Sequence, residues 1–501
     1  MTARNTTAFS GLNENLNLYA LQRRRQVRIF AFVWMGITLL IGAITFAGIY
    51  TATGIAARAA AGSGNVNVNQ NQVQPPAPAE VNPAVAAAQI TATPFPTIEM
   101  QPSATAAPVQ PSPEPTAQPA APAATVPAIQ DTAFDLGIAI QKNPDPNVYK
   151  LWVEMAGQQL KLNWVKSQVV WRDVEKVKGQ FDFGELDTSM NLLAEGGMKV
   201  MLSITKAPDW ARDVGAKIQP GVFDGPPANP ADFAAFLTAI LTRYPGKVHA
   251  IEVWNEINID REWATQPARI DARRYVELLR TARDAIKAVD PNIVVISAGL
   301  APTGANIAGA VTDDFVYMDE LIAAGMLTYV DCVGAHHNGL NVPPTADFNN
   351  IPERNPRAQY RGPWDNPHHS WSFKSTLEGY ARKIQAAGST VKLCVTEFGW
   401  PSLEDLAGRG TPREGFGFAG DNSLADQALF TQQAIELMQQ WGFIRLAFVW
   451  NLNYGAQAGW QLGDATGDNV LWSILGPDYA PRPVWQVIVN MDFRSRIRQA
   501  Q

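Results

Sequence analysis

From Phe134 onward the chain alternates between two hydrophobic patterns. Short runs rich in β-branched and other apolar residues are each followed by a longer stretch in which apolar residues recur every three or four positions. Eight such pairs occur. The predicted strands are Phe134–Ile140, Asn163–Trp171, Lys199–Thr205, Val248–Trp254, Ile293–Gly299, Tyr329–Ala335, Lys392–Glu397 and Ile444–Trp450. The clearest intervening helix runs over Ala272–Val289, with Tyr275, Leu278, Leu279, Ala282 and Ile286 on one face. Eight strand–helix units across residues 131–495 predict an α/β fold, a closed (β/α)8 TIM barrel with insertions. An open, doubly wound sheet is the competing architecture. It would normally carry a glycine-rich phosphate turn after its first strand, and Gly137-Ile138-Ala139-Ile140-Gln141 supplies none.

Loop lengths point the same way. Helix-to-strand connections are short, as in Tyr244-Pro245-Gly246-Lys247, whereas the chain wanders from about Asn338 to Ser372 after the sixth strand and from Pro401 to Ser423 after the seventh. Insertions gathered at the strand C-termini build up the barrel face that carries active sites.

Before the barrel the pattern changes twice. Ile29–Tyr50 is apolar and free of charge, long enough as a helix to span a bilayer. Arg23, Arg24, Arg25 and Arg28 precede it and only Arg58 follows closely, so residues 1–28 are expected in the cytoplasm and the rest outside. A cleaved signal peptide is the alternative, with Ala57-Arg58-Ala59 near a plausible cleavage position. Residues 51–130 become rich in Pro, Ala, Thr, Gln and Val, a composition that reads as a disordered, semi-rigid tether. The expected location is therefore the cell membrane, single-pass, with the barrel extracytoplasmic.

Composition excludes some partners. With 40 basic and 46 acidic residues the formal charge is −6, which gives no reason to bind nucleic acid. Cys332 and Cys394 both lie in apolar runs and read first as two buried thiols, a disulfide being the alternative if the domain is outside the cytoplasm. His336-His337 and His368-His369 invite a metal reading, but the first strand lacks a His-X-His pair, and Gly463-Asp464 to Asp468-Asn469 is short of calcium ligands at fixed spacing. Neither a catalytic metal nor a cofactor is predicted. The oligomeric state is left open.

The candidate chemistry sits at strand tips. The fourth predicted strand leads into Trp254-Asn255-Glu256, and the seventh into Thr396-Glu397-Phe398-Gly399-Trp400. Two glutamates three strands apart face each other across one barrel mouth, the arrangement that glycosidic cleavage requires of its two carboxyl groups. These two segments resemble the catalytic signatures of clan A retaining glycoside hydrolases. Trp164-Val165-Lys166 through Trp171, Lys178-Gly179-Gln180-Phe181-Asp182-Phe183 and Ala207-Pro208-Asp209-Trp210-Ala211 are similar to the second and third units of family 39, with family 5-like enzymes as neighbours. The resemblance covers most of residues 134–490. It implies a retaining double displacement on a β-glycosidic bond of an oligo- or polysaccharide, with Glu397 as nucleophile, Glu256 as acid and base, and Asn255 bonded to the sugar 2-hydroxyl. It also implies an aromatic floor at Trp450 and a site histidine at His336 or His337, of which only one can point inward. Trp210 and Trp400 are further candidates to line the cleft. Two positions depart from the family pattern: Ile257 replaces the usual proline, and Lys166 stands where an arginine is common, offering charge without a bidentate fork. A carbohydrate-binding or polysaccharide-assembly scaffold that has lost catalysis is the second reading.

Overall fold

The computed structural model describes residues 134–219, 223–351, 368–452, 454, 465 and 467–491. The expected anchor at 29–50, the tether at 51–130 and, in the loop 463–469, Gly463, Asp464 and Thr466 lie outside the described residues. Among the described residues no helix is long and apolar enough to cross a membrane.

Eight parallel strands form: β1 (Asp135–Ala139), β2 (Trp164–Val170), β3 (Lys199–Thr205), β4 (Ala250–Val253), β5 (Val294–Ser297), β6 (Val333–His337), β7 (Leu393–Phe398) and β8 (Ile444–Val449). Their hydrogen-bonded order is β5-β4-β3-β2-β1-β8-β7-β6. A parallel bridge between Ile296 and Cys332 spans the remaining seam, where the Gly334 amide also donates to Ser297 Oγ at 2.9 Å. The ring is a (β/α)8 barrel, as the alternation predicts. The helix Ala272–Val289 has the predicted bounds and buries the predicted face. Asp271 starts it by accepting from the Arg273 amide at 2.9 Å, which satisfies one of the amides that a helix start leaves free.

β3 has the predicted bounds and β7 the predicted length, whereas β1, β2 and β8 are one or two residues shorter and β4 and β5 three shorter, because their ends turn into loops. β6 differs more, beginning four residues later than predicted. A 3-10 turn over Met326–Thr328, closed by the Tyr329 amide on Met326 O, delays entry into the sheet. That shift brings both His336 and His337 into the strand.

Side-chain alternation then orders the barrel interior by level. Trp164, Met201, Ala250, Ile296, Cys332, Cys394, Leu446 and Phe448 pack into one apolar cluster. Within it Cys332 and Cys394 are joined by a disulfide, with Cα atoms 5.7 Å apart. This corrects the reading of two thiols: adjacent strand starts set both side chains at one depth, which their linear spacing does not reveal. Two residues further along β2, β3 and β4 stand Lys166, Ser203 and Glu252, all buried. Burying two charged groups at one level is costly unless they meet.

Candidate active site

They do meet. Lys166 Nζ lies 3.0 Å from Glu397 Oε1 and 3.1 Å from Glu252 Oε2, and donates to the Thr396 carbonyl at 3.2 Å. Asn338 Nδ2 donates to the other oxygen of Glu397 at 3.1 Å. Both oxygens of Glu397 are thus held, and its carboxyl is aimed by Lys166 from β2 and by Asn338 just past β6.

His336 links this carboxyl to the other candidate. A register shift in β6 between Ala335 and His336 sets His336 beside Glu397. Its Nδ1 is 3.2 Å from Glu256 Oε1 and 3.8 Å from Glu397 Oε2, while Nε2 is 3.6 Å from Glu252 Oε1. The oxygens of Glu256 and Glu397 nearest that nitrogen are therefore separated by no more than the sum of the two distances, about 7 Å. Gly299 makes room for the ring, since a Cβ there would overlap His336.

The backbone before Glu256 is bent to present it. Trp254 (φ 75°) and Glu256 (φ 39°) are both left-handed, as is Lys206 (φ 62°) just past β3. Such conformations cost on the order of 1–3 kcal/mol each in non-glycine residues, and persist where their surroundings fix them. Here the Glu256 amide donates to Gly299 O at 3.0 Å, and the buried Trp254 indole donates to Glu262 O at 2.9 Å.

Charge follows from this geometry. Burial pushes His336 down, but the Glu397 charge and the nearby Glu252 and Glu256 carboxyls outweigh it and raise the imidazole to about 10. Burial likewise opposes Lys166, yet the Glu252 and Glu397 carboxylates hold its ammonium above the ordinary value. For Glu252 the burial penalty is overcome by Lys166 and then His336, so its carboxyl sits well below the usual range. Glu256 is also lowered, burial being outweighed by His336, with help from Arg261 and Lys166. Near neutrality the proton between His336 and Glu256 therefore resides on the imidazole in the free site.

A cavity of about 400 Å³ opens over these groups. Of the sequence candidates, Glu256, Glu397, Asn255, His336 and Trp450 line it, and Trp450 Nε1 donates to Asn469 Oδ1 at 3.3 Å. Lys166 lies beneath, 2 % exposed, touching the carboxyls and not the opening. His337 reaches the cavity wall, but its ring is spent on structure: Gly339 N donates to Nδ1 at 3.3 Å, leaving Nε2 to donate to Ser370 O at 3.1 Å. Burial lowers it to about 4, so it is neutral. Two expectations fail. Trp210 does not line the cavity; it donates to Glu175 O at 3.1 Å and packs edge-on against Trp171. Nor does Trp400, buried against Phe373 and Phe430 with its indole donating to Val342 O at 2.9 Å. Both brace loops, a use of tryptophan that sequence position does not distinguish from sugar stacking. Sequence reasoning also missed Glu252, Asn338, Glu262, Tyr454 and Trp472. Of these only Glu252 carried a signal, an acidic residue two positions after inward-facing Ala250.

Among the described residues one group has metal-ligand geometry, Asp313, His368 and His369, whose ligand atoms lie within 4.8 Å of one another. Its members already serve each other and the fold: His368 Nε2 is 3.1 Å from Asp313 Oδ2, and His369 Nε2 is 2.9 Å from Asp314 Oδ2.

The glycoside hydrolase family 42 model, described as beta-galactosidase, matches residues 149–221. No curated protein matches the chain. Among solved structures, a family 39 glycoside hydrolase from the gut symbiont Bacteroides cellulosilyticus is similar at 16 % identity and a TM-score of 0.48, covering 72 % of this chain and 63 % of that one. The chain thus spans less than two thirds of that relative's length. A monomeric beta-xylosidase from Caulobacter crescentus is 18 % identical with a TM-score of 0.46, covering 71 % and 67 %. Xylanase 10B from Thermotoga maritima is 15 % identical with a TM-score of 0.45, covering 74 % and 98 %. The chain resembles clan A glycoside hydrolases, family 39-like, in its two glutamate signatures, and the family model that matches it is also that of a glycoside hydrolase.

Proposed function

We propose that this protein is a retaining glycosidase that cleaves β-glycosidic bonds of an oligo- or polysaccharide. The observation that carries the reading is His336 Nδ1 lying between Glu256 and Glu397, which keeps their nearest oxygens within about 7 Å. That bound admits the separation of about 5–5.5 Å found in retaining enzymes and only the low end of the roughly 6.5–9.5 Å that inverting ones need, so retention itself rests on the resemblance of the two glutamate signatures. In this reading Glu397, oriented by Lys166 and Asn338, attacks the anomeric carbon as the glycosidic bond breaks. Glu256 gives its proton to the departing oxygen and later takes one from the water that releases the sugar. The free site holds that proton on His336, so substrate entry must move it to Glu256. Displacing water from a carboxylate favours its neutral form and drives the transfer in the required direction. Asn255 bonds the sugar 2-hydroxyl and Trp450 offers an apolar face.

The location proposed is outside the membrane, on a tether from the Ile29–Tyr50 anchor. The Cys332–Cys394 disulfide supports an oxidising compartment. A carbohydrate-binding protein without catalysis is the second reading, favoured by the ionised state of Glu256 in the free site.

A panel of aryl β-glycosides and polysaccharides tests the proposal. Turnover should disappear in Glu256→Gln and Glu397→Gln, and azide should rescue Glu397→Ala to give a product of inverted configuration. Saccharide binding that is unchanged in both variants, with no turnover by the parent protein, would favour the binding reading instead.

A further inference from the structure

The cavity is walled unevenly. The loops after β7 and β8 contribute Phe416, Phe418, Trp450 and Trp472, while the side fed by β2, β3 and β4 contributes Gln168, Lys206, Arg261 and Glu262. Glu262 has no part in the proposed double displacement. It is 7 % exposed, and its Oε2 is sealed from solvent with no hydrogen-bond partner. Its backbone is fixed on both sides: its amide donates to Ile259 O at 3.2 Å, its carbonyl accepts from the Trp254 indole, and Trp254 packs edge-on against Trp263. Lys206, the cation that most opposes its burial, is engaged elsewhere, since Lys206 Nζ is 3.3 Å from Asp224 Oδ2, and Asp224 also pairs with Arg172.

A buried carboxyl lacking a partner costs on the order of 1–3 kcal/mol or more, and an apolar side chain at the same position would avoid that cost. Among the described residues none hydrogen-bonds this carboxyl, and Glu262 lines the cavity, so the partner for its open edge comes from what occupies the cavity. The surroundings select the kind of occupant. Lys206 and Arg261 would repel an ammonium group brought to Glu262, and Glu256 with Asp224 would repel a carboxylate or sulfate. A neutral hydroxyl suits both, because it donates to a carboxylate while accepting from an ammonium or guanidinium.

We propose that Glu262 binds a hydroxyl group of a neutral sugar in this cavity, and so fixes which sugar the glycosidase reading above can accept. Burial, only partly offset by Lys206, raises this carboxyl to about 7, with Glu256 and Asp224 adding to the rise and Arg261 opposing it. A carboxylate accepts more strongly from a hydroxyl than a neutral acid does, so KM falls as pH rises through about 7.

The test measures KM and kcat for a neutral aryl β-glycoside between about pH 5.5 and 8.5 in the parent protein, Glu262→Gln and Glu262→Leu. Glu262→Leu should raise KM about tenfold or more, as expected for one charge-assisted hydrogen bond, with kcat within about twofold. Glu262→Gln should raise it less and remove the inflection near neutrality. Unchanged KM in Glu262→Leu overturns the proposal whether or not its melting curve shifts, as does a fall in kcat with KM unchanged. Calorimetric titration of neutral monosaccharides into the same variants, made in a Glu397→Gln background, keeps the two proposals separable. If no glycoside is turned over the glycosidase reading fails, and weaker sugar binding by Glu262→Leu alone still supports this role. Equal binding, or none, overturns it.

Discussion

Replacing His336 by Asn should change how stability depends on pH, not only how large it is. His336 is 1 % exposed and its folded-state value is about 10, against an ordinary 6.5. A group whose value is raised on folding contributes its full stabilisation below the unfolded value and loses it as pH climbs to the folded one. The window is therefore 6.5 to about 10. Two pH units into it, near pH 8.5, the parent should have lost on the order of 3 kcal/mol that it had at pH 6.5, at about 1.4 kcal/mol per unit. The Asn variant has no such proton to lose. Its deficit relative to the parent should be largest at pH 6.5 and shrink by that amount at pH 8.5. Glu262 also titrates near neutrality, but in both proteins, so it cancels in the difference. Urea unfolding followed by tryptophan fluorescence at the two pH values gives both curves. A deficit that stays constant across the window would refute the claim that a charged imidazole holds the three carboxyls together.

Three further outcomes follow from packing and charge. Lys166→Met leaves Glu252 and Glu397 without their shared cation and should cost about 3–5 kcal/mol at neutral pH, part of it recovered when Glu252→Gln is added; equilibrium unfolding of the single and double variants measures both. Gly299→Ala drives a methyl into the His336 ring and should cost about 1–3 kcal/mol of stability together with most activity, read from a melt and a progress curve. Removing the disulfide by Cys332→Ala with Cys394→Ala frees a loop of 62 residues and should cost about 4 kcal/mol by the chain-entropy estimate, measured by urea unfolding under oxidising conditions.

The barrel was legible because its strands and helices have different periods, and because short turns on one face contrast with long loops on the other. Glu256 and Glu397 were legible for a related reason: an acidic residue at the tip of an apolar strand is conspicuous. Depth within the barrel was not. Cys332 and Cys394 are bonded, and Lys166 meets Glu252, because residues from different strands share a level, and shared level depends on register between strands far apart in sequence. Choosing between His336 and His337 needed the later start of β6 and its register shift, both set by contacts outside the strand. Trp210 and Trp400 were misread since an indole beside a strand tip serves equally to brace a loop.

Register also changes the meaning of the lysine that departs from the family pattern. A guanidinium fork would address one carboxylate along one direction, whereas Lys166 Nζ meets three acceptors, Glu397 Oε1, Glu252 Oε2 and the Thr396 carbonyl, at 3.0 to 3.2 Å. An ammonium has three donors that diverge, so the smaller cation fits this triangular arrangement better. Glu252 supplies the third corner and also stands 3.6 Å from His336 Nε2. One buried carboxylate thus steadies both cations that contact the two candidate catalytic groups. Lys166→Arg, conservative on its face, should therefore impair orientation of Glu397 more than it disturbs the fold, and kcat measured beside a thermal melt separates the two effects.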